Sequence, residues 1–532
     1  MATTIPLPQT TVTRSTAGLL LLLPFLGACD PGAAPPTGPA GPSLVVVVAV
    51  DQLRGDMLTR YDDLFQGGIR RLLDQGTSFP RTTFGHAETA TGPGHATIST
   101  GMHPAGHGIA GNGWSELRDG AWTDVYAVED PEHPLLADPE LPGRSPANLR
   151  RDGLADWIRA AHPDARVVSV SRKDRAAIPL AGRGPGHVYW LALDQGVEGF
   201  TTSTFYRDSL PDWVQAANAE LAPVLWSDTV WVSDAPEEAR ERARPDPFPT
   251  EGDGVHTTLP HRAWQEAGLP ERAEWGDWLE GTPSTDAAVV HLASRAVREL
   301  ALGRRDAVDY LALGLSSTDG VGHGYGPWSQ EQLDNLLRLD RGLGALMDSL
   351  DAAVGSDGWV LALTGDHGVL EMVEWRQEQG LSGHRLSREE RAGMEARART
   401  HAGDPDALAS ALEELDVVAD AMTLEELRDG GTPADTFVPL FRRSHVEGRV
   451  TGPFPGAGVV VRLREGVYGG SLGTGHGSPY HYDRWVPFLL YGPGVPAAVR
   501  DEAAGVVDVA PTLARLVGVP APSDLDGVAR AP

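Results

Sequence analysis

The stretch LVVVVAVDQ, residues 44–52, decides the fold of this chain. Seven consecutive apolar residues, most of them β-branched, stop abruptly at Asp51. A run that is apolar at every position, rather than at alternate ones, marks a strand covered on both faces, as in a parallel sheet with helices above and below. The carboxylate that closes the run then lies at the strand's C-terminal end, the edge where open parallel sheets bind ligands.

Two more segments repeat the layout. DYLALGLSSTD, residues 309–319, runs into Asp319, and GWVLALTGDHG, residues 358–368, runs into Asp366 and His367. Between them SQEQLDNLLRLDRGLGALMDSLDAAV has helical character, and Ser329 with Gln332 makes a capping-box pattern at its start. Strand, helix and strand in this order form a βαβ unit. The expectation is an α/β fold of three layers, with a central, mostly parallel sheet and helices on both faces.

Two regions read as insertions. Residues of about 190–282 carry Trp, Pro and acidic clusters with weak periodicity. Residues of about 371–470 are helix-rich, with Ser387/Glu390 and Thr423/Glu426 as capping boxes and Asp404-Pro405 as a helix start. The second region lies between Asp366/His367 and His476, so it either rises beside a site there as a cap or packs on the sheet's flank.

A chain of 532 residues with 41% hydrophobic content can bury a large core, in one big domain with insertions or in two domains. The formal net charge of −29 argues against nucleic-acid polymers as partners, while a local cationic cluster can still hold small anions. Cys29 is the only cysteine, which excludes an intramolecular disulfide and a Cys-based metal site. The N-terminus reads as a leader. Arg14 precedes an apolar run over residues 17–28 that is too short to span a bilayer, and Leu26-Gly27-Ala28-Cys29 resembles a bacterial lipobox. Residues 1–28 are thus expected to be a signal peptide and residues 29–43 a Pro/Gly/Ala-rich tether. Residues 44–532 then form the exported domain, periplasmic or at the cell surface, monomeric and held to the membrane through a lipid on Cys29.

A metal site in this chain must use His and carboxylate ligands. Asp51, Asp366 and His367 end strands; Asp319 and His323 stand four apart in STDGVGHGYG, and His476 sits in GTGHGSPYHYD. Six such residues divide into two groups of three, each leaving positions for a substrate oxygen. In HAETATGPGHATISTG, residues 86–101, Thr91 precedes Gly-Pro-Gly and the start of a helix, whose N–H groups and dipole favour an alkoxide and a phosphate. By local chemistry Thr89 and Thr97 are alternatives, and His86 and His95 are read as holding the loop. Lys173 is the single lysine among 44 basic residues. In a chain so biased towards Arg, it marks a position where a compact, adjustable charge is needed.

Taken together, VAVDQ, TGPGH, GIAGNGW, RKDRAA, DGVGHG, GDHG and GHGSPYHYD resemble the alkaline phosphatase superfamily, in particular its Thr-nucleophile, phosphate-irrepressible branch. The order of the motifs agrees from residue 44 onwards, and VVDVAPTLARLVGVP with LDG resembles the closing helix and loop. The resemblance implies an alkaline-phosphatase-like fold and a broad-specificity phosphomonoesterase that acts through a phosphothreonine at Thr91. It implies two zinc ions, one on Asp51, Asp366 and His367, the other on Asp319, His323 and His476. Asn112, Lys173 and Arg175 are implied to hold the phosphate oxygens of small phosphate-ester substrates. A phosphodiesterase or nucleotide pyrophosphatase is the alternative on the same scaffold. A Lys/Arg pair favours monoesters, which carry one more negative charge. The Cys/Ser-x-Pro-x-Arg pattern of sulfatases is missing, and a non-catalytic metal-binding lipoprotein is the reading from another class.

Overall fold

The computed structural model describes residues 41–226, 230–252, 254–262, 272–429, 435–452 and 454–532. The leader of residues 1–28, Cys29 and most of the tether lie outside the described residues. The run over residues 44–50 forms β1 (Leu44–Val50), buried at every position. The main sheet adds β2 (Thr77–Ser78), β3 (Val167–Ser171), β4 (His187–Leu191), β5 (Phe200–Thr201), β6 (Asp309–Leu315), β7 (Trp359–Gly365), β8 (Phe488–Tyr491) and β9 (Ala498–Val499). Their order is β9-β2-β8-β7-β1-β6-β3-β4-β5. The five strands β7, β1, β6, β3 and β4 run parallel, and β8 and β5 pair antiparallel at the two sides of this block.

The alternation of β1 side chains explains why no position of the run is polar. Val46, Val48 and Val50 pack with Leu292, Leu336 and Leu343 from helices on one face. Val45, Val47 and Ala49 pack with Ile158, Ile178 and Leu513 on the other. This is the three-layer α/β architecture that the sequence predicts. Because β1 pairs with both β6 and β7, all three chains leave the sheet at the same edge.

That edge receives helices α1 (Thr91–Thr100), α2 (Asp174–Leu180), α3 (Ser317–Tyr325) and α4 (Gln330–Val354). Ser329 caps α4, accepting from the Gln332 backbone N–H at 3.0 Å. The reciprocal half of that capping box does not form. Gln332 is fully buried beneath α3 and gives its side-chain N–H to Thr318 O at 2.8 Å instead. The Ser387/Glu390 and Thr423/Glu426 boxes close in both directions, and Asp404 caps the helix Pro405–Glu413.

The region of about 190–282 is less separate than its weak periodicity suggests. It begins inside β4 and contributes β5 to the main sheet. Val214, Ala217 and Leu221 of the helix Asp212–Leu225 join the main core. A strand of two residues is too short to show a hydrophobic period. The region of about 371–470 has its own apolar cluster around Met394, Leu408, Leu412 and Val418. Part of it lines a cavity of about 450 Å³ together with Glu88, His476 and Ser478, which sets it beside the sheet edge where the candidate ligands gather.

Candidate active site

Asp51 follows β1 directly, and Asp366 and His367 follow β7; all three are fully buried. Asp319 is placed differently from the strand end that the sequence suggests. β6 stops at Leu315, and Asp319 stands in the first turn of α3, where its charge complements the helix dipole. His323, one turn on, brings Nε2 to 3.0 Å from Asp319 Oδ1. His476 Nε2 lies 3.6 Å from the same oxygen.

The Nδ1 atoms are tied to backbone carbonyls: His323 to Thr474 O at 2.8 Å, His476 to Thr89 O at 2.7 Å and His367 to Gly368 O at 3.0 Å. Such bonds fix the tautomer and leave the Nε2 lone pair facing inward as a possible metal ligand. Ligand atoms of Asp319, His323 and His476 lie within 4.8 Å of one another, as do those of Asp51, Asp319 and His367. The first group matches the sequence grouping. In the second Asp319 takes the place assigned to Asp366, whose carboxylate is engaged by His95 Nδ1 at 3.1 Å and by the Gln52 backbone N–H at 3.0 Å. Asp366 Oδ2 still lies 3.5 Å from His367 Nε2.

Three buried carboxylates this close need cationic compensation. Lys173 Nζ sits 2.5 Å from both Asp51 Oδ2 and Asp319 Oδ2. Burial and the Asp319 charge oppose ionisation of Asp51, yet Lys173 and His367 hold its carboxyl well below the usual range. Burial alone would lower His367, but Asp366 and Asp51 push it up to about 9. Burial lowers His476 to about 4, helped by the neighbouring His367. Asp51 Oδ1 and Oδ2, Asp366 Oδ2 and His367 Nε2 are buried without a well-directed hydrogen bond, although charged atoms lie near them. Converging oxygen and imidazole donors with surplus negative charge suit divalent cations of the zinc type.

The three threonines of the 86–101 segment separate by geometry. Thr89 Oγ1 donates to Ser478 O, and Thr97 Oγ1 pairs with His107 Nε2. Thr91 is the first residue of α1, with Ala90 as the N-cap, and its hydroxyl meets Lys173 Nζ at 3.2 Å. Thr91 therefore does not cap this helix; its hydroxyl is turned to Lys173 instead. Gly94 allows the helix this close to the sheet edge, since a Cβ there would lie 2.2 Å from Asp366 O.

Lys173 stands directly before α2 and Arg175 is its second residue, close after the end of β3. Asn112 Oδ1 accepts from Gly92 N–H at 2.7 Å, which leaves its amide N–H groups to a ligand. All ten residues singled out in the sequence thus lie around one sheet edge. Sequence reasoning missed Gln52, which donates to Asp319 Oδ1 at 2.8 Å from a strained φ of 67°. Its place next to Asp51 was the one available signal. It also missed Tyr126, whose hydroxyl accepts from Arg175 Nη1 at 3.2 Å, and the contact of His95 with Asp366.

The family model for type I phosphodiesterases and nucleotide pyrophosphatases matches residues 45–451. This chain belongs to that family. Over 538 residues it is 29% identical to the alkaline phosphatase PafA of Elizabethkingia meningoseptica, covering 96% of this chain and 97% of the relative. It is 30% identical to the alkaline phosphatase PhoK of a Sphingomonas species, with 91% and 90% covered. The crystal structure of wild-type PafA superposes with a TM-score of 0.81 at 26% identity, over 94% of this chain and 99% of that one. Family members therefore match both the sheet and the helices that carry the site.

Proposed function

We propose that this enzyme hydrolyses phosphate monoesters through a covalent phosphothreonine at Thr91. The observation that carries the reading is the position of Lys173, whose ammonium lies 3.2 Å from Thr91 Oγ1 and 2.5 Å from carboxylates of both candidate metal groups. A point charge there serves a substrate with two negative charges better than one with a single charge. Relatives named alkaline phosphatases along nearly the whole chain support the same class of reaction.

Thr91 Oγ1 attacks phosphorus and the ester oxygen leaves as the alcohol. Water then cleaves the Thr91–phosphate bond and releases inorganic phosphate. Asn112, held by Gly92, and the Lys173–Arg175 pair bind the nonbridging oxygens as charge develops on them. Asp319, His323 and His476 would hold one zinc ion, and Asp51 and His367 with Asp366 the other. Bound zinc would lower the pKa of hydroxyl groups and water and offset negative charge on ester oxygens.

The reading extends to the rest of the chain: a signal peptide over residues 1–28, acylation at Cys29, a tether to residue 43, and one catalytic domain over residues 44–532. The insertions fall at about 190–282 and 371–470, and the enzyme works as an exported, lipid-anchored monomer. The fractionation test is membrane association, which Cys29→Ala abolishes. For the reaction, the deciding comparison is kcat/KM on p-nitrophenyl phosphate against bis(p-nitrophenyl) phosphate, run beside metal analysis of the same protein. The monoester is expected to turn over faster, with zinc near two per chain. Faster diester turnover would move the enzyme to the phosphodiesterase activity after which its family is named.

A further inference from the structure

We propose that Tyr126 is a positioning residue for the phosphoryl grip, its hydroxyl anchoring the Arg175 guanidinium to the same hairpin that carries Asn112. The inference rests on the reading of Arg175 as a phosphate-binding residue.

Tyr126 ends a two-stranded hairpin, Gly113–Arg118 with Ala121–Tyr126, and pairs there with Gly113, the neighbour of Asn112. Ala127 N–H donates to Asn112 O at 3.0 Å, so both ends of the hairpin are pinned at Asn112. From this platform the Tyr126 hydroxyl donates to Asp174 Oδ1 at 2.6 Å and accepts from Arg175 Nη1 at 3.2 Å. Its only proton is committed to the carboxylate, and an oxygen lone pair faces the guanidinium.

Asp174 cannot turn away. Arg144 Nε donates to its Oδ2 at 2.5 Å, and the Arg175 backbone N–H donates to its Oδ1 at 2.6 Å. The Arg144 guanidinium also lies 4.7 Å from the centre of the Tyr126 ring. Burial and the Asp174 charge push the Tyr126 phenol above its usual range, so the hydroxyl keeps its proton at alkaline pH. A cavity of about 260 Å³ opens here, lined by Tyr126, Lys173 and Arg175 with Trp190 and Gln195.

Holding one nitrogen of the guanidinium in advance removes part of the ordering cost that a long side chain otherwise incurs on binding. The remaining N–H donors then form a preset fork for a phosphoryl group. A monoester, with its extra charged oxygen, draws on that fork more than a diester does. Tyr126 accordingly tunes the preference between the two substrates, and does so only through Arg175.

The test is a double-mutant cycle on the zinc-loaded enzyme, with Tyr126→Phe, Arg175→Ala and the pair. Readouts are kcat/KM for the mono- and diester and the inhibition constant of inorganic phosphate. Tyr126→Phe is expected to lower monoester kcat/KM about 10-fold and to weaken phosphate inhibition similarly, with diester turnover changed by less than about 2-fold. In the Arg175→Ala background the same change should cost less than about 2-fold on any substrate. A full loss in that background, or equal losses on both esters, overturns the proposal, as does the absence of any effect. If Arg175→Ala itself leaves monoester turnover and phosphate inhibition intact, the reading of Arg175 fails instead. Asp174→Asn enters the same cycle with the same expectations should Tyr126→Phe melt early.

Discussion

The two candidate metal groups use the same residue types on unlike supports. Asp51, Asp366 and His367 are fully buried and follow directly from the two central strands β1 and β7. On the other side Asp319 and His323 ride on the short helix α3, and His476 on a loop, with both histidines partly exposed. That side also leans on the segment around residues 244–262. Gly473 N–H donates to Thr250 O at 2.7 Å, Gly252 N–H to Gly324 O at 2.8 Å, and Arg244 Nη2 to Tyr325 O at 2.9 Å. The difference fits the division of labour between the groups. On the proposed reading, the nucleophile Thr91 calls for a fixed support, whereas a side that admits and releases an alcohol can be built from loops and a short helix.

Removing the proposed nucleophile should cut deepest. Thr91→Ala should lower monoester kcat/KM by roughly 10³-fold or more, with both metals still bound. Retained activity would mean that the rigid side serves no nucleophile. Next come the candidate ligands. Asp51→Asn should cost roughly 10³-fold and His323→Asn nearer 10²-fold, each with loss of metal that can be read by elemental analysis. Equal losses would erase the distinction between the supports. Lys173→Ala, between the two groups, should cost monoesters roughly 10²-fold and diesters about 10-fold.

The smallest effect concerns the buttress behind His323. Glu251 is buried against Arg244 and near Glu331, and burial first, then the Glu331 charge, pushes its carboxyl up to about 9 from 4.5. The folded protein therefore keeps a proton that the unfolded chain releases. Its contribution to stability is present at acid pH and is lost as pH rises from about 4.5 towards 9. In Glu251→Gln this part of the slope of Tm against pH should flatten, a change on the order of a few kcal/mol, even if loss of the Arg244 pair lowers Tm throughout. An unchanged slope would leave the loop-built side without its titrating support.

The contrast also accounts for what the sequence could disclose. The rigid side was legible because a doubly covered strand is apolar almost throughout, so LVVVVAV and WVLALTG announce themselves and the next residue is the candidate ligand. Lys173 was legible through its rarity. Gln52, Tyr126 and the engagement of Asp366 by His95 were not, since each depends on contacts across the fold and follows no period. The supports of the other side were hidden for the same reason. Nothing in the order of Arg244, Glu251 and Tyr325 says that they meet, and β5 is too short for its pattern to register.

The central claim is a phosphate held covalently on Thr91. The direct measurement is acid quenching of the zinc-loaded enzyme during turnover of a monoester, followed by fragmentation mass spectrometry of the peptide from the 86–101 segment. Phosphate on Thr91 is the expected result. Phosphate on Thr89 or Thr97, or turnover with inversion of configuration at phosphorus and no phosphorylated threonine, would contradict it.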